Sequence, residues 1–483
     1  MYRLIVICFI LFPLLVTPQE QGVHALHKTL YQTDYQVQPG EDNTPVIPLV
    51  YDKSKVIGKS VFGYLPDWEV QGSAASLRYD LLTHIAMFDF AMDSLGNLKN
   101  PSYWPWTSVI NTAHTNGVKV ILCVTNFEGS EITYFLDRPT ARQNFFQKLA
   151  SLISQYAFDG VNIDFESLRV SDRGERINTF MAELSSYLKN LYPTSEISFA
   201  GPAVNWGGWN LLGLANSCDY VFIMGYDFYG SWSTTTGANA PLTGGSYNIT
   251  NTVQTQYAQA VATVPHKLIL GVPYFGVEWT AETSNAYAPV VAYIGHPRYK
   301  IAEPNAQLYG VQWDTKSKTS WYRYQTGSTW RQIWYDNDSS LALKYDLALS
   351  KNLKGVGMWA LGYDNGRDEL WNLIERKIFN PSSVSETRFI PSAFTVEPLF
   401  PNPFNPEATI RFTTPDYGDY KISLFNTLGE EVYQVTGKAN QGNNLSSISG
   451  RGLASGVYLL SVTFRGESSG KTDMVSQKCI LLK

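Results

Sequence analysis

The chain has 483 residues, of which 44% are hydrophobic and 16% charged, with a net charge of −5. That composition describes a folded globular protein and excludes a disordered one. The acidic balance and the lack of any Lys/Arg cluster exclude a duplex-binding surface, so no nucleic-acid partner is expected.

Residues 1–25 read as a secretory signal peptide. Arg3 gives a small positive start, and Leu4 to Val16 is an apolar run broken by Pro13. The run is too short to span a bilayer comfortably, and Gln19, Glu20 and Gln21 follow it. Two cut points fit, one after Val23-His24-Ala25 and one between Val16 and Gln19. The competing reading is an uncleaved membrane anchor. Cys8 lies in this segment. Cys123, Cys218 and Cys479 remain, far apart and odd in number, which predicts buried free thiols and no disulfide scaffold.

Residues 26–56 carry Pro39, Pro45 and Pro48 with no sustained period and read as an extended linker. From residue 57 the pattern changes. Short apolar runs at 58–65, 82–90, 117–125, 158–166, 196–203, 219–226, 267–275 and 354–361 alternate with amphipathic stretches. Eight strands alternating with helices predict an α/β fold, a (β/α)8 TIM barrel over 57–380. The span is long for that fold. The excess falls at 279–340, rich in Trp, Tyr and Thr, and reads as a small β-rich insertion after the seventh strand. A Pro/Ser stretch at 381–395 reads as a second linker. Residues 396–483 alternate with period two and predict a C-terminal all-β sandwich.

The strongest chemical signal is Asp159-Gly-Val-Asn-Ile-Asp-Phe-Glu. Val161, Ile163 and Phe165 point one way from a strand, and Asn162, Asp164 and Glu166 the other. In a barrel the polar set faces the interior, with Glu166 at the C-terminal mouth where barrel enzymes keep their chemistry. Burying two carboxylates costs several kcal/mol unless they are neutralised or hydrogen-bonded. Their Cα atoms stand ~7 Å apart, so each charge raises the other's pKa. A proton-retaining glutamic acid is what general-acid catalysis requires.

This octet resembles the signature of the family 18 glycoside hydrolases, the chitinase and endo-N-acetylglucosaminidase family. Val61-Phe-Gly-Tyr-Leu-Pro-Asp-Trp resembles the family's first strand and Leu82-Thr-His-Ile its second. Met224-Gly-Tyr-Asp resembles the sixth-strand motif and Gly357-Met-Trp the eighth. The resemblance implies a secreted hydrolase that cleaves β-1,4 bonds of N-acetylglucosamine-containing glycans, chitin oligomers or peptidoglycan, with retention. In that scheme Glu166 is the general acid, and Asp164 orients the substrate's 2-acetamido group, which itself attacks the anomeric carbon. Tyr226 hydrogen-bonds the acetamido oxygen, Asp227 is its neighbour, and Trp359 floors the sugar subsite. Asp159 is structural.

Two departures matter. Asn162 stands where Asp is commoner, and its amide is expected to donate to Asp164. The third strand ends Val124-Thr-Asn-Phe, without the Gly-Gly of many chitinases. Both favour peptidoglycan-like or soluble glycans over crystalline chitin. Trp68, Trp206, Trp209, Trp232 and Trp279 each follow a predicted strand and are candidate stacking surfaces for sugar rings. The alternative function is a non-catalytic chitin- or peptidoglycan-binding protein on the same barrel, against which the retained Glu166 argues.

The six histidines show no ligand spacing, and His84 reads as a hydrogen-bonded core residue. Asp336-Asn-Asp-Ser-Ser resembles a calcium loop, but Leu341 stands where that loop needs glycine, and a helix cap is the better reading. No cofactor and no metal are expected. The C-terminal stretch, with Phe400-Pro-Asn-Pro-Phe-Asn-Pro and Gly452-Leu-Ala-Ser-Gly-Val-Tyr, resembles the type A sorting domain of type IX secretion. It implies the secretion machinery as a partner and a secreted or cell-surface location. An accessory sugar-binding sandwich is the alternative. A monomer is the default.

Overall fold

The computed structural model describes residues 22–32, 44–50, 58–379, 393–399, 401–440, 442–467 and 470–482. Most of residues 1–25, expected as a signal peptide, and of 26–56 and 381–395, expected as linkers, lies outside the described residues. The chain divides into two compact units near residues 381 and 382.

The first unit is a closed parallel barrel. Its strands are β1 (Ser60–Pro66), β2 (His84–Met92), β3 (Lys119–Asn126), β4 (Gly160–Phe165), β5 (Glu196–Pro202), β6 (Tyr220–Met224), β7 (Leu268–Pro273) and β8 (Gly355–Trp359). Each pairs with its neighbours in order, and β8 closes on β1 with Ser60 opposite Gly355. All eight expected strands are present. Parallel strands covered by helices are apolar on their outer face. On β4 that face includes Phe165, which stacks on Phe180 of the helix Glu175–Leu191 at 6.0 Å.

Between β7 and β8 the chain builds a five-stranded antiparallel sheet from residues 277–335, with a helix at Tyr299–Tyr309. Its small core holds Val277, Trp279, Trp321 and Trp334, with the last two rings stacked at 5.0 Å. After this sheet Asn337 caps the helix Asp338–Ser350 in a reciprocal capping box with Ser340. Asp336 accepts hydrogen bonds from Ser340 and Lys344, so the acidic loop is spent on a helix start.

Residues 26–56 depart from the expected linker at one end. Residues 44–50 are irregular, and Ile47 N–H donates to Asn111 at 2.7 Å. Residues Val23–Tyr31 instead form a helix, α1. Ala25, Leu26 and Lys28 are good helix formers. His24, His27, Lys28 and Tyr31 fall at i, i+3, i+4 and i+7, which aligns them on one face. That stripe is aromatic and cationic, so a search for apolar periodicity misses it.

The second unit packs a three-stranded sheet against a four-stranded one, both antiparallel. Along Glu407–Thr414 every second residue is buried, the expected period of two. Cys123, Cys218 and Cys479 are buried free thiols.

Candidate active site

Strand β4 carries the carboxylates. Asn162 and Asp164 are fully buried inside the barrel, and Glu166 is 6% exposed just past the strand end. Glu166 N–H donates to the Asn126 carbonyl at the end of β3, which fixes the turn. Asp159, at the strand's start, accepts from His114 at 2.9 Å and from the Val120 amide at 2.7 Å. It is a structural clamp. His84, likewise, is bonded to Glu196 at 2.9 Å.

The Glu166 carboxyl is pushed up to about 8. Burial is the main cause, and the Asp164 and Asp227 charges add to it. His24 and the Ala25 amide pull the other way. Glu166 is thereby a carboxylic acid at neutral pH. Asp227, in the loop after β6, is pushed up to about 7 by burial. Its φ of 63° is left-handed, a costly conformation for a residue with a side chain. Its amide donates to Asn239 Oδ1 at 3.0 Å, which holds the turn.

Asn162 does not donate to Asp164. Its Oδ1 accepts from the Tyr64 hydroxyl at 2.9 Å, and its Nδ2 donates to Ser198 Oγ at 2.9 Å. The barrel interior offers a hydroxyl acceptor on the neighbouring strand, so the amide is satisfied sideways, one layer below Asp164.

Trp359 ends β8 and is fully buried. Trp68 packs edge-on to it at 6.3 Å between centroids, and its Nε1 donates to Tyr363 at 3.3 Å. Trp206, Trp209 and Trp232 line a cavity of about 310 Å³ with Glu166, Tyr226 and Asp227. Trp279 is the exception. Its strand Val277–Ala281 turns Val277, Trp279 and Ala281 inward, so the ring is fully buried in the insertion's own core and not in the cleft. The sequence placed it correctly after a strand; the local period of two decided its direction.

Sequence reasoning missed α1, which lies in the site. His24 Nδ1–H donates to Asp164 Oδ2 at 2.6 Å, and its Nε2 is hydrogen-bonded to the Tyr226 hydroxyl at 2.8 Å. The imidazole stacks on Trp359 at 3.8 Å. Burial alone would lower its pKa, yet the charge and hydrogen bond of Asp164, then Glu166 and Asp89, leave it raised. Trp359 Nε1 donates to His27 Nδ1 at 2.8 Å. Burial, with His296 adjacent, lowers the His27 pKa well below the ordinary value, which leaves that nitrogen free to accept. Lys28 reaches Asp89 of β2 at 2.6 Å. Ligand atoms of His24, Asp164 and Glu166 lie within 4.8 Å of one another, the spacing of a metal site. As placed, they are joined to each other as a buried ion pair and hydrogen bonds.

Residues 60–364 match the family described as glycosyl hydrolases family 18. The chain belongs to glycosyl hydrolase family 18. Residues 398–476 match the secretion system C-terminal sorting domain, so this glycoside hydrolase is exported, either secreted or to the cell surface. Among curated relatives of the family 18 enzyme, the di-N-acetylchitobiase of Rattus norvegicus is 26% identical over 300 residues, covering 55% of this chain and 78% of that protein. The cortical fragment-lytic enzyme of Bacillus subtilis (strain 168) is 23% identical over 297 residues, covering 58% and 65%. The family 18 chitinase of Cycas revoluta, solved in complex with (GlcNAc)3, superposes with a TM-score of 0.59 at 21% identity, covering 66% of this chain and 99% of that one.

Proposed function

We propose that the enzyme hydrolyses β-1,4 bonds in N-acetylglucosamine-containing glycans, chitin oligomers or peptidoglycan, by a substrate-assisted retaining mechanism. The carrying observation is the spacing of Asp164 and Tyr226, which together grip the two nitrogens of a single imidazole. An acetamido group presents an N–H and a carbonyl oxygen across one carbon, roughly 2.2 Å apart from its 1.33 and 1.23 Å bonds. That is the same donor–carbon–acceptor edge as an imidazole. Asp164 would accept from the acetamido N–H and Tyr226 would donate to its oxygen, with the sugar face on Trp359.

Held so, the acetamido oxygen attacks the anomeric carbon as Glu166 gives its proton to the leaving oxygen. Water, deprotonated by the resulting Glu166 carboxylate, then opens the cyclic intermediate, and configuration is retained. The raised pKa of Glu166 suits the first step. The di-N-acetylchitobiase and chitinase named above support chitin oligomers, and Asn162 with the Val124-Thr-Asn-Phe strand end supports soluble or peptidoglycan-like glycans.

Mass spectrometry of products tests the reading. Residues 57–380 are incubated with GlcNAc oligomers and with peptidoglycan, with Glu166→Gln as control. Cleavage that disappears in the control is expected. Oligosaccharide binding without cleavage would replace the hydrolase with a sugar-binding protein.

A further inference from the structure

Helix α1 stands where the substrate must go. We propose that residues 22–32 are an internal competitor that occupies the sugar pocket and latches the enzyme in an inactive form. The inference rests on the proposed function, because it is the acetamido-binding groups that the helix covers.

Every turn of α1 is tied down on its inward face. His24 takes the Asp164 and Tyr226 partners and covers Trp359. The Ala25 amide points at Glu166 Oε2 at 3.4 Å. His27 takes the Trp359 indole N–H, and Lys28 pairs with buried Asp89. Tyr31 donates to the His296 carbonyl at 2.5 Å and lies under the Arg298 guanidinium at 3.7 Å. Gln32 donates to Asp67 at 3.1 Å. A loosely associated leader would not place its polar face on the buried groups of the barrel mouth with such consistency.

The approach at the N-terminal end is equally close. A Cβ on Gly22 would fall 1.9 Å from Glu166 Oε2, so the chain crosses directly over the acid. The open cavity lined by Trp206 and Trp232 ends against Gly22 and Val23. A glycan entering it stops at the helix. No sugar can contact Trp359, Asp164 and Tyr226 together while His24 is present.

The fit is incomplete in a way that permits release. Asp164 Oδ1 and Asp227 Oδ1 are buried with no hydrogen-bond partner among the described groups. Unsatisfied buried carboxylate oxygens are costly. A sugar hydroxyl reaching either oxygen would have an advantage over the helix.

The test uses the full chain and reads hydrolysis and binding separately. Wild type is compared with His24→Ala/Lys28→Ala, and with a chain carrying a protease site within residues 33–43 that is folded and then cut. Hydrolysis of a chromogenic chitobioside and tryptophan-fluorescence titration with (GlcNAc)3 are measured. Released forms are expected to exceed wild type at least tenfold in both. A synthetic peptide of residues 22–32 should inhibit them competitively, and its His24→Ala version should not. Equal binding by wild type and released forms, with no effect of the peptide, overturns the latch. Release-dependent binding without hydrolysis keeps the latch and overturns the hydrolase reading.

Discussion

The imidazole of His24 lies face to face with the indole of Trp359, 3.8 Å between centroids and 26° between planes. One residue comes from a short helix that precedes the barrel and the other from the strand that closes it. Their contact brings an imidazole, its pKa raised chiefly by Asp164 against the effect of burial, to the carboxylates of β4.

The Glu166 carboxyl, pushed up to about 8 chiefly by burial, predicts the pH profile. A raised folded-state pKa keeps the proton on below that value and loses it above. The neutral form's contribution to stability is likewise full below the ordinary carboxyl range and gone once pH passes about 8. Hydrolysis by the released enzyme is therefore expected to fall ~10-fold per pH unit above its basic limb. Glu166→Gln should abolish both activity and limb. A pH–rate series on the two chains checks this.

Tyr226→Phe removes one hydroxyl and little volume. Loss of a hydrogen bond to the acetamido oxygen should lower kcat/KM about 10- to 100-fold, mostly in kcat if the bond strengthens as charge develops. Steady-state kinetics with a chitobioside decide it, and an unchanged kcat/KM would remove Tyr226 from the scheme.

The tryptophans separate into two kinds. Trp206 is 42% exposed at the cavity and Trp279 is fully buried in the insertion. Trp206→Ala is expected to raise KM for longer oligomers about tenfold with no change in Tm. Trp279→Ala is expected to cost about 3–5 kcal/mol of stability. Oligomer-length kinetics and thermal unfolding measured on both variants distinguish these roles.

The two cut points read from the sequence now differ in consequence. A cut between Val16 and Gln19 leaves Gly22, His24 and Lys28 on the mature chain, whereas a cut after Ala25 removes His24. We expect the earlier cut and a latched exported enzyme. N-terminal mass spectrometry of protein from the native host decides, and a mature chain starting at Leu26 would mean that export itself unlatches the site.

Legibility followed periodicity and burial. The eight strands were readable because parallel strands under helices are apolar runs, and Asp164 and Glu166 were readable because carboxylates on such a strand break the pattern at a cost. The direction of Trp279 was not, since it depends on a period of two inside an irregular insertion. The Asn162 partner was not, since it depends on which atom of β5 stands opposite. Helix α1 was missed because its stripe of His24, His27, Lys28 and Tyr31 contains polar residues that gain burial only in this pocket. A polar i, i+3, i+4, i+7 stripe starting at His24 was the clue available.

The pairing of Ser60 with Gly355 sets an order in time. The barrel closes only when its last strand meets its first, the strand pairing most distant in sequence in that unit and a slow one to form. Trp359 arrives with that strand, so α1 lacks the ring that His24 stacks on until the barrel has closed. A nine-residue helix is marginal in water by itself. It should be the last segment to order and the first to open, with its amides exchanging hydrogen far faster than those of β4 and β8. The polypeptide thus finishes its catalytic machine before it can switch that machine off.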